Sequence, residues 1–173
     1  MESTGGRMYI SVVGASECDS EGADIAYRVG WEIARRGHIL VCGGLSGVMD
    51  AAAHGAHDAG GLSLGILPQA DRSHASRWLT ASVPTNMGHG RNALVALAGD
   101  AVIAVRGGYG TLSEVALALK MGKPVIGIDS WNPDPDSRDT GKVVRAPGPE
   151  EAVRLAEELA LRPEAHRPDS GVS

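Results

Sequence analysis

A doubly wound α/β fold, one parallel sheet with helices on both faces, is what the sequence predicts, on three observations. Short apolar runs recur with little polar alternation, helix-length segments separate them, and glycine-rich stretches concentrate just beyond the ends of the runs. Strands buried on both faces lose the alternation that half-exposed strands show. Strands that alternate with helices imply right-handed βαβ crossovers and a parallel sheet. At 173 residues the chain is long enough for one domain with a full core and too short for two ordinary ones.

In chain order, strands are expected over 8–13, 38–42, 62–67, 81–84, 101–105 and 124–128. Each is a run of Val, Ile, Leu or Ala bounded by glycine, proline or polar residues. Helices are expected over 23–36, 48–59, 91–98, 112–121 and 149–161. The last opens with Pro149-Glu150-Glu151, proline being suited to a first helical position, and carries Ala, Val and Leu at helical spacing. Residues 131–148 are rich in Pro, Asp and Gly and read as a surface loop. Residues 1–7 and 162–173 read as mobile tails flanking a single domain over 8–161.

Composition narrows the function. Hydrophobic residues make up 43% and charged residues 21%, the profile of a soluble globular protein. Phe is absent and aromatic residues are 3%, so the core must be built from Ala, Val, Leu and Ile. A net charge of -5 argues against nucleic acid held on a broad basic face, and leaves room for a small phosphorylated ligand held by one loop. No apolar run approaches the roughly 18 residues needed to span a bilayer, and the N-terminus has no apolar signal region. Cys18 and Cys42 are too few for a disulfide framework; Cys42 ends an apolar run and reads as a small core residue. A cytoplasmic location is the expectation.

In an open parallel sheet, ligands bind beyond the carboxyl ends of the strands. Gly14-Ala15-Ser16 follows the first strand there, and Gly43-Gly44-Leu45-Ser46-Gly47-Val48-Met49 the second. The segment 85–92, with His89, Arg91 and Asn92, follows the fourth, and Gly107-Gly108-Tyr109-Gly110-Thr111 the fifth. Glycines at a strand-to-helix turn let backbone N–H groups approach an oxyanion, and the helix dipole favours negative charge at that point. The bland alternative is a tight strand-to-helix turn and nothing more. Thr111 can act as a helix cap or as a phosphate donor. Neither GxxxxGK[ST] nor GxGxxG is present, which disfavours a nucleoside triphosphatase and a nicotinamide enzyme.

The residues alone are compatible with glycosidic chemistry. Glu114 follows the glycine turn by one helical turn, so its carboxylate could face the sugar of a bound nucleotide and stabilise an oxocarbenium-like state. Arg91 could hold the phosphate, orient Glu114 through a bidentate pair, or form a purely structural salt bridge. His54 and His57, three apart on one helix, read as solvated histidines, since no third metal ligand is evident. His89 is a ligand contact or a loop histidine. Lys120, late in a helix, suits the negative end of the dipole better than a Schiff base.

The stretches GGLSGVMDAA, MGHGRN and GGYGTLSE, in that order, resemble the LOG superfamily, also labelled lysine decarboxylase-like. The resemblance covers roughly 8–128 and implies a Rossmann-like fold and a homodimer. Its characterised enzymes are nucleoside 5'-monophosphate phosphoribohydrolases with the motifs GGGxxGLMG, Arg-Lys and PGGxGTxxE. A smaller branch, closer in its GVM and RN residues, includes molybdenum cofactor carrier proteins.

By this resemblance Gly107, Gly108, Tyr109, Gly110 and Thr111 form a phosphate-binding turn, and Glu114 and Arg91 are the catalytic pair. Gly43, Gly44, Gly47, Met49, Ser16 and Asn92 complete a nucleotide site. Arg106 stands where the enzymes have proline, Asn92 where they have lysine, and Ser113 where they have a first acidic residue. Two functions follow. One is cleavage of a nucleoside monophosphate to base and ribose 5-phosphate, needing no cofactor. The other is binding of molybdenum cofactor without turnover.

Overall fold

The protein is described here from a computed structural model, covering residues 6–133 and 141–162. Seven strands form one sheet: β1 (Tyr9–Gly14), β2 (Ile39–Cys42), β3 (Leu62–Leu67), β4 (Ala81–Pro84), β5 (Ala101–Val105), β6 (Val125–Ile128) and β7 (Val143–Arg145). Their order across the sheet is β4-β3-β2-β1-β5-β6-β7, and every pairing is parallel. This is the doubly wound α/β sheet expected from the apolar runs.

Helices α1 (Ser20–Arg35), α2 (Val48–Asp58) and α5 (Pro149–Ala160) cover one face. Helices α3 (Asn92–Ala98) and α4 (Tyr109–Lys120) cover the other. Alternate strand residues divide between the two cores. Ile10, Val12, Leu40, Ile103 and Val105 pack under α1, α2 and α5, while Val13, Val41, Val102 and Ala104 pack with Val95 and Val115 of α3 and α4. All five residues of β5 are fully buried, which is why that strand shows no polar alternation.

Several boundaries differ from expectation, among them the start of α1, at Ser20 instead of Ala23, with Asp19 as its N-cap. The segment 131–148 contains β7, paired to β6 with Val125 opposite Val143; three residues on a sheet edge are too few to show a period. Residues 134–140 of that segment lie outside those described, as do most of the expected tails. The expected helix from Arg91 splits, with Gly88–Arg91 forming a 3₁₀ turn before α3. Helix α4 begins at Tyr109 instead of Leu112, because the Leu112 N–H already bonds to the Gly108 carbonyl at 3.0 Å.

Candidate functional site

From β1 the chain winds outward through β2, β3 and β4, then returns to lay β5 on the opposite side of β1. The β1–β5 boundary is therefore the switch point, where the loops leaving the carboxyl ends diverge and open a crevice. A cavity of about 590 Å³ lies there, lined from the β1 loop (Gly14, Ala15, Ser16), the β2 loop and α2 (Leu45, Met49) and the β3 loop (Pro68, Gln69). Its remaining walls are Gly88, His89, Arg91 and Asn92 around the 3₁₀ turn, and Gly108, Gly110, Thr111 and Glu114 of α4. That size lies within the range of small-molecule sites.

The α4 end of the cavity is a bare helix N-terminus. Gly108 is the N-cap and no side chain caps the helix, so the N–H groups of Tyr109, Gly110 and Thr111 have no partner within it. Thr111 is thus not the cap; its hydroxyl is buried and unpartnered among the described residues. A Cβ added to Gly108 or Gly110 would meet nothing within 4 Å, so both open onto free space. Gly107 is different. Its φ is +117°, a conformation suited to glycine, and a Cβ there would stand 2.4 Å from the Thr111 side chain.

Glu114 and Arg91 meet in the cavity wall, Arg91 Nη1 lying 3.5 Å from Glu114 Oε1, with both side chains 8% exposed. The contact is a single one, not the bidentate pair considered from sequence. Burial pushes the Glu114 carboxyl up to about 7, against the opposing pull of the Arg91 guanidinium. Burial also lowers the Arg91 pKa, with Glu114 acting in the other direction. Arg91 Nε has no partner among the described residues.

The first glycine loop works at one remove from the cavity. Gly43, Gly44 and Gly47 do not line it. A Cβ on Gly43 would come within 2.3 Å of Arg91 Nη1 and 2.6 Å of Met49 Sδ, so the missing side chain admits the arginine. At Gly47, φ is +66° and a Cβ would strike the Ala15 carbonyl oxygen at 2.3 Å, so this glycine seats the β2 loop on the β1 loop. Of the other expected residues, Ser16, Met49, Asn92, Gly108, Gly110 and Thr111 line the cavity. Gly107 and Tyr109 do not, and Tyr109 points outward, 84% exposed, over Trp131.

Arg106 turns away from the cavity. Its φ is +48°, and its guanidinium pairs with Asp19, at 2.6 Å to both carboxylate oxygens, and with Glu21, at the start of α1. It braces the β1 and β5 loops and does not line the ligand space. His54 stacks on Trp78 at 3.9 Å and pairs with Asp58, so it is held in a surface cluster instead of standing free in solvent. Lys120 closes the last turn of α4. Cys42 is fully buried and its thiol is pushed up to about 12 by burial, as suits a core residue.

Sequence reasoning missed Gln69. The loop after β3 lies on the same sheet edge as the others but contains no glycine cluster, and position alone was the available signal.

An all-parallel, doubly wound sheet with its cavity at the switch point defines a Rossmann-like α/β protein. The chain belongs to the SLOG cluster4 family, whose model matches residues 7–153. An uncharacterised protein of Archaeoglobus fulgidus is 50% identical over 70% of this chain and 80% of its own length. A cytokinin riboside 5'-monophosphate phosphoribohydrolase of Mycobacterium tuberculosis is 32% identical over 68% of this chain and 67% of its own. The rice enzyme of that name, LOG, is 40% identical over 53% of this chain, but the match spans only 39% of the rice protein.

Among solved structures, the molybdenum cofactor binding protein of Rippkaea orientalis superposes with a TM-score of 0.82 at 35% identity, covering 89% of this chain and 98% of that one. The molybdenum cofactor carrier protein of Chlamydomonas reinhardtii superposes at 0.78 and 32% identity, covering 91% and 100%. Among the described residues, no helix is long and apolar enough to cross a membrane.

Proposed function

We propose that the protein cleaves the N-glycosidic bond of a nucleoside 5'-monophosphate, giving free base and ribose 5-phosphate. One observation carries this reading: a carboxyl pushed up to about 7, Glu114, lines the same cavity as the uncapped N-terminus of its own helix. The phosphate would take the free N–H groups of Tyr109, Gly110 and Thr111 together with the Thr111 hydroxyl.

In the reaction the C1'–N bond breaks, its electron pair leaves with the base, and the base takes up a proton. Water adds its oxygen to C1' and gives a proton to Glu114, whose carboxylate also faces the positive charge that develops on the sugar. A group titrating near neutrality can accept that proton and release it again. Arg91 keeps Glu114 oriented, its Nη1 lying 3.5 Å from Glu114 Oε1. Water is the one co-reactant, and no cofactor enters. In this reading the protein works in the cytoplasm as a homodimer.

A second reading, a molybdenum cofactor carrier, is favoured by the likeness to the Rippkaea and Chlamydomonas proteins. The phosphate of that cofactor would use the same helix N-terminus. The deciding experiment incubates the protein with a panel of nucleoside monophosphates and measures released base, beside binding of molybdate and of the cofactor. Base release establishes the enzyme. Cofactor binding with no release from any monophosphate overturns it in favour of the carrier.

A further inference from the structure

The glycine turn after β5 is held by a loop that does not touch the cavity. Asp129, Ser130 and Trp131 follow β6, the neighbour of β5 on the side away from β1, and none of them lines the cavity. Each strand is followed by a non-glycine residue in the left-handed region, Arg106 at φ +48° and Asp129 at φ +47°. Such conformations persist where surrounding contacts hold them. Here the contacts are specific. The Arg106 N–H donates to the Ile128 carbonyl at 3.0 Å, and Ser130 Oγ donates to the Arg106 carbonyl at 2.6 Å. Trp131 Nε1 donates to the Gly108 carbonyl at 3.0 Å, and its ring stacks on Tyr109 with centroids 6.1 Å apart.

The Trp131 bond is surplus to the needs of the helix. The Gly108 carbonyl already accepts the Leu112 N–H at 3.0 Å, which closes the first turn of α4. A carbonyl oxygen has two lone pairs, and Trp131 takes the second. At 37% exposure the indole could have given its N–H to water instead. The peptide unit that carries the Gly108 carbonyl also carries the Tyr109 N–H, which points the opposite way across a trans bond. That N–H is the first donor of α4 without a partner in the helix. Hydrogen bonds in a chain polarise one another, so a carbonyl held by two donors makes the N–H of its own unit a stronger donor.

We infer that Trp131 is a positioning residue for anion binding: through the Gly108 carbonyl it fixes and strengthens the Tyr109 N–H as a donor to phosphate at the start of α4. This inference rests on the proposed binding of a phosphorylated ligand there. It applies equally to the hydrolytic and the carrier reading, because both place a phosphate at this turn. Ser130 acts beside Trp131, holding the peptide unit that joins Arg106 to Gly107, so the turn is anchored on either side of its central peptide. The coupling runs in both directions. When an anion takes the Tyr109 N–H, the Gly108 carbonyl becomes a stronger acceptor and draws the indole N–H closer.

The test follows the indole N–H by nuclear magnetic resonance in the whole chain, isotopically labelled at nitrogen. The chain has 3 Trp, so each indole gives one signal, and Trp131→Phe identifies the signal of Trp131 by its loss. Titration with ribose 5-phosphate, and separately with inorganic phosphate, should move that signal downfield, with the midpoint that calorimetry gives for binding. The signals of Trp31 and Trp78 should stay in place. Trp131→Phe keeps a ring against Tyr109 and removes only the donor; it should bind ribose 5-phosphate on the order of 5-fold more weakly, the worth of one hydrogen bond. Its stability should stay close to wild type, because the Gly108 carbonyl keeps its Leu112 partner. Binding with an unmoved Trp131 signal, which a merely structural role would give, overturns the inference while the α4 reading stands, as does unchanged affinity in Trp131→Phe. If calorimetry detects binding of neither probe, the α4 reading falls and this inference with it.

Discussion

Asn92 Nδ2 donates to Ser113 Oγ at 3.0 Å, and Ser113 Oγ donates in turn to the Gly110 carbonyl at 2.8 Å. These are the positions where the enzyme relatives' motifs carry lysine and an acidic residue. In this chain the two departures meet in one neutral hydrogen bond. Asn92 is 8% exposed, so a charge placed there has little water to turn to.

Asn92→Lys alone should therefore cost about 1–3 kcal/mol of stability. Adding Ser113→Glu should recover part of that loss, with a coupling of at least about 0.5 kcal/mol between the two changes. Urea denaturation of both single variants and the double variant measures it. Strict additivity would show that the two positions do not act together.

Gly110 and Thr111 separate folding from binding. Gly110 is helical and a Cβ there meets nothing, so Gly110→Ala should stabilise the protein by up to about 1 kcal/mol. The same methyl would stand at the end of the cavity where we propose the phosphate binds, and should weaken ribose 5-phosphate binding. Thr111→Val removes a buried hydroxyl with no partner, so stability should hold or rise, while affinity falls by about 0.5–1.5 kcal/mol. Melting temperature and calorimetric affinity should move in opposite directions for Gly110→Ala. Affinity that stays unchanged in both variants would show that the turn is structural only.

Arg106→Pro would restore the enzyme relatives' residue, yet proline cannot adopt the φ of +48° found here. That variant should lose stability whatever its effect on ligand. Arg106→Gly fits the backbone and removes only the pairs to Asp19 and Glu21, both exposed, so stability should change little and ribose 5-phosphate affinity should hold. A large loss of affinity in Arg106→Gly would mean that the brace positions the β1 loop over the ligand.

The fold was legible because its strands are buried on both faces and advertise themselves as unbroken apolar runs; β5 is the plainest case. β7 was not, being three half-exposed edge residues. The start of α4 was hidden by propensity, since Gly110 and Thr111 are poor helix formers, yet the Leu112 N–H closes a turn on Gly108. At the site, Glu114, Arg91, Thr111 and the open glycines could be named from spacing. What spacing concealed was side-chain direction. Gly43 makes room for an arginine 48 positions later, at 91, and Arg106 answers to Asp19 in the loop of the neighbouring strand. Gln69 had no glycine beside it to mark its loop.

The pH dependence of stability tests Glu114 without any substrate. Its carboxyl rises from an ordinary value of 4.5 to about 7 on folding, chiefly through burial, with Arg91 opposing. The folded state then binds the proton more tightly than the unfolded chain does, so this contribution to stability is fully present below pH 4.5 and is lost as pH rises through 7. The change corresponds to about 3 kcal/mol. Glu114→Gln mimics the protonated form at every pH. Its stability should match wild type near pH 4.5 and exceed it above pH 7, so the two curves should separate between those values. In the same variant, turnover of the best monophosphate should fall on the order of 10²–10⁴-fold, while nucleotide affinity holds or rises as a carboxylate near the ligand is neutralised. Parallel stability curves would show that Glu114 is not buried as a neutral acid. Diverging curves with undiminished turnover would leave the carboxyl where it is and move the catalytic role elsewhere in the cavity.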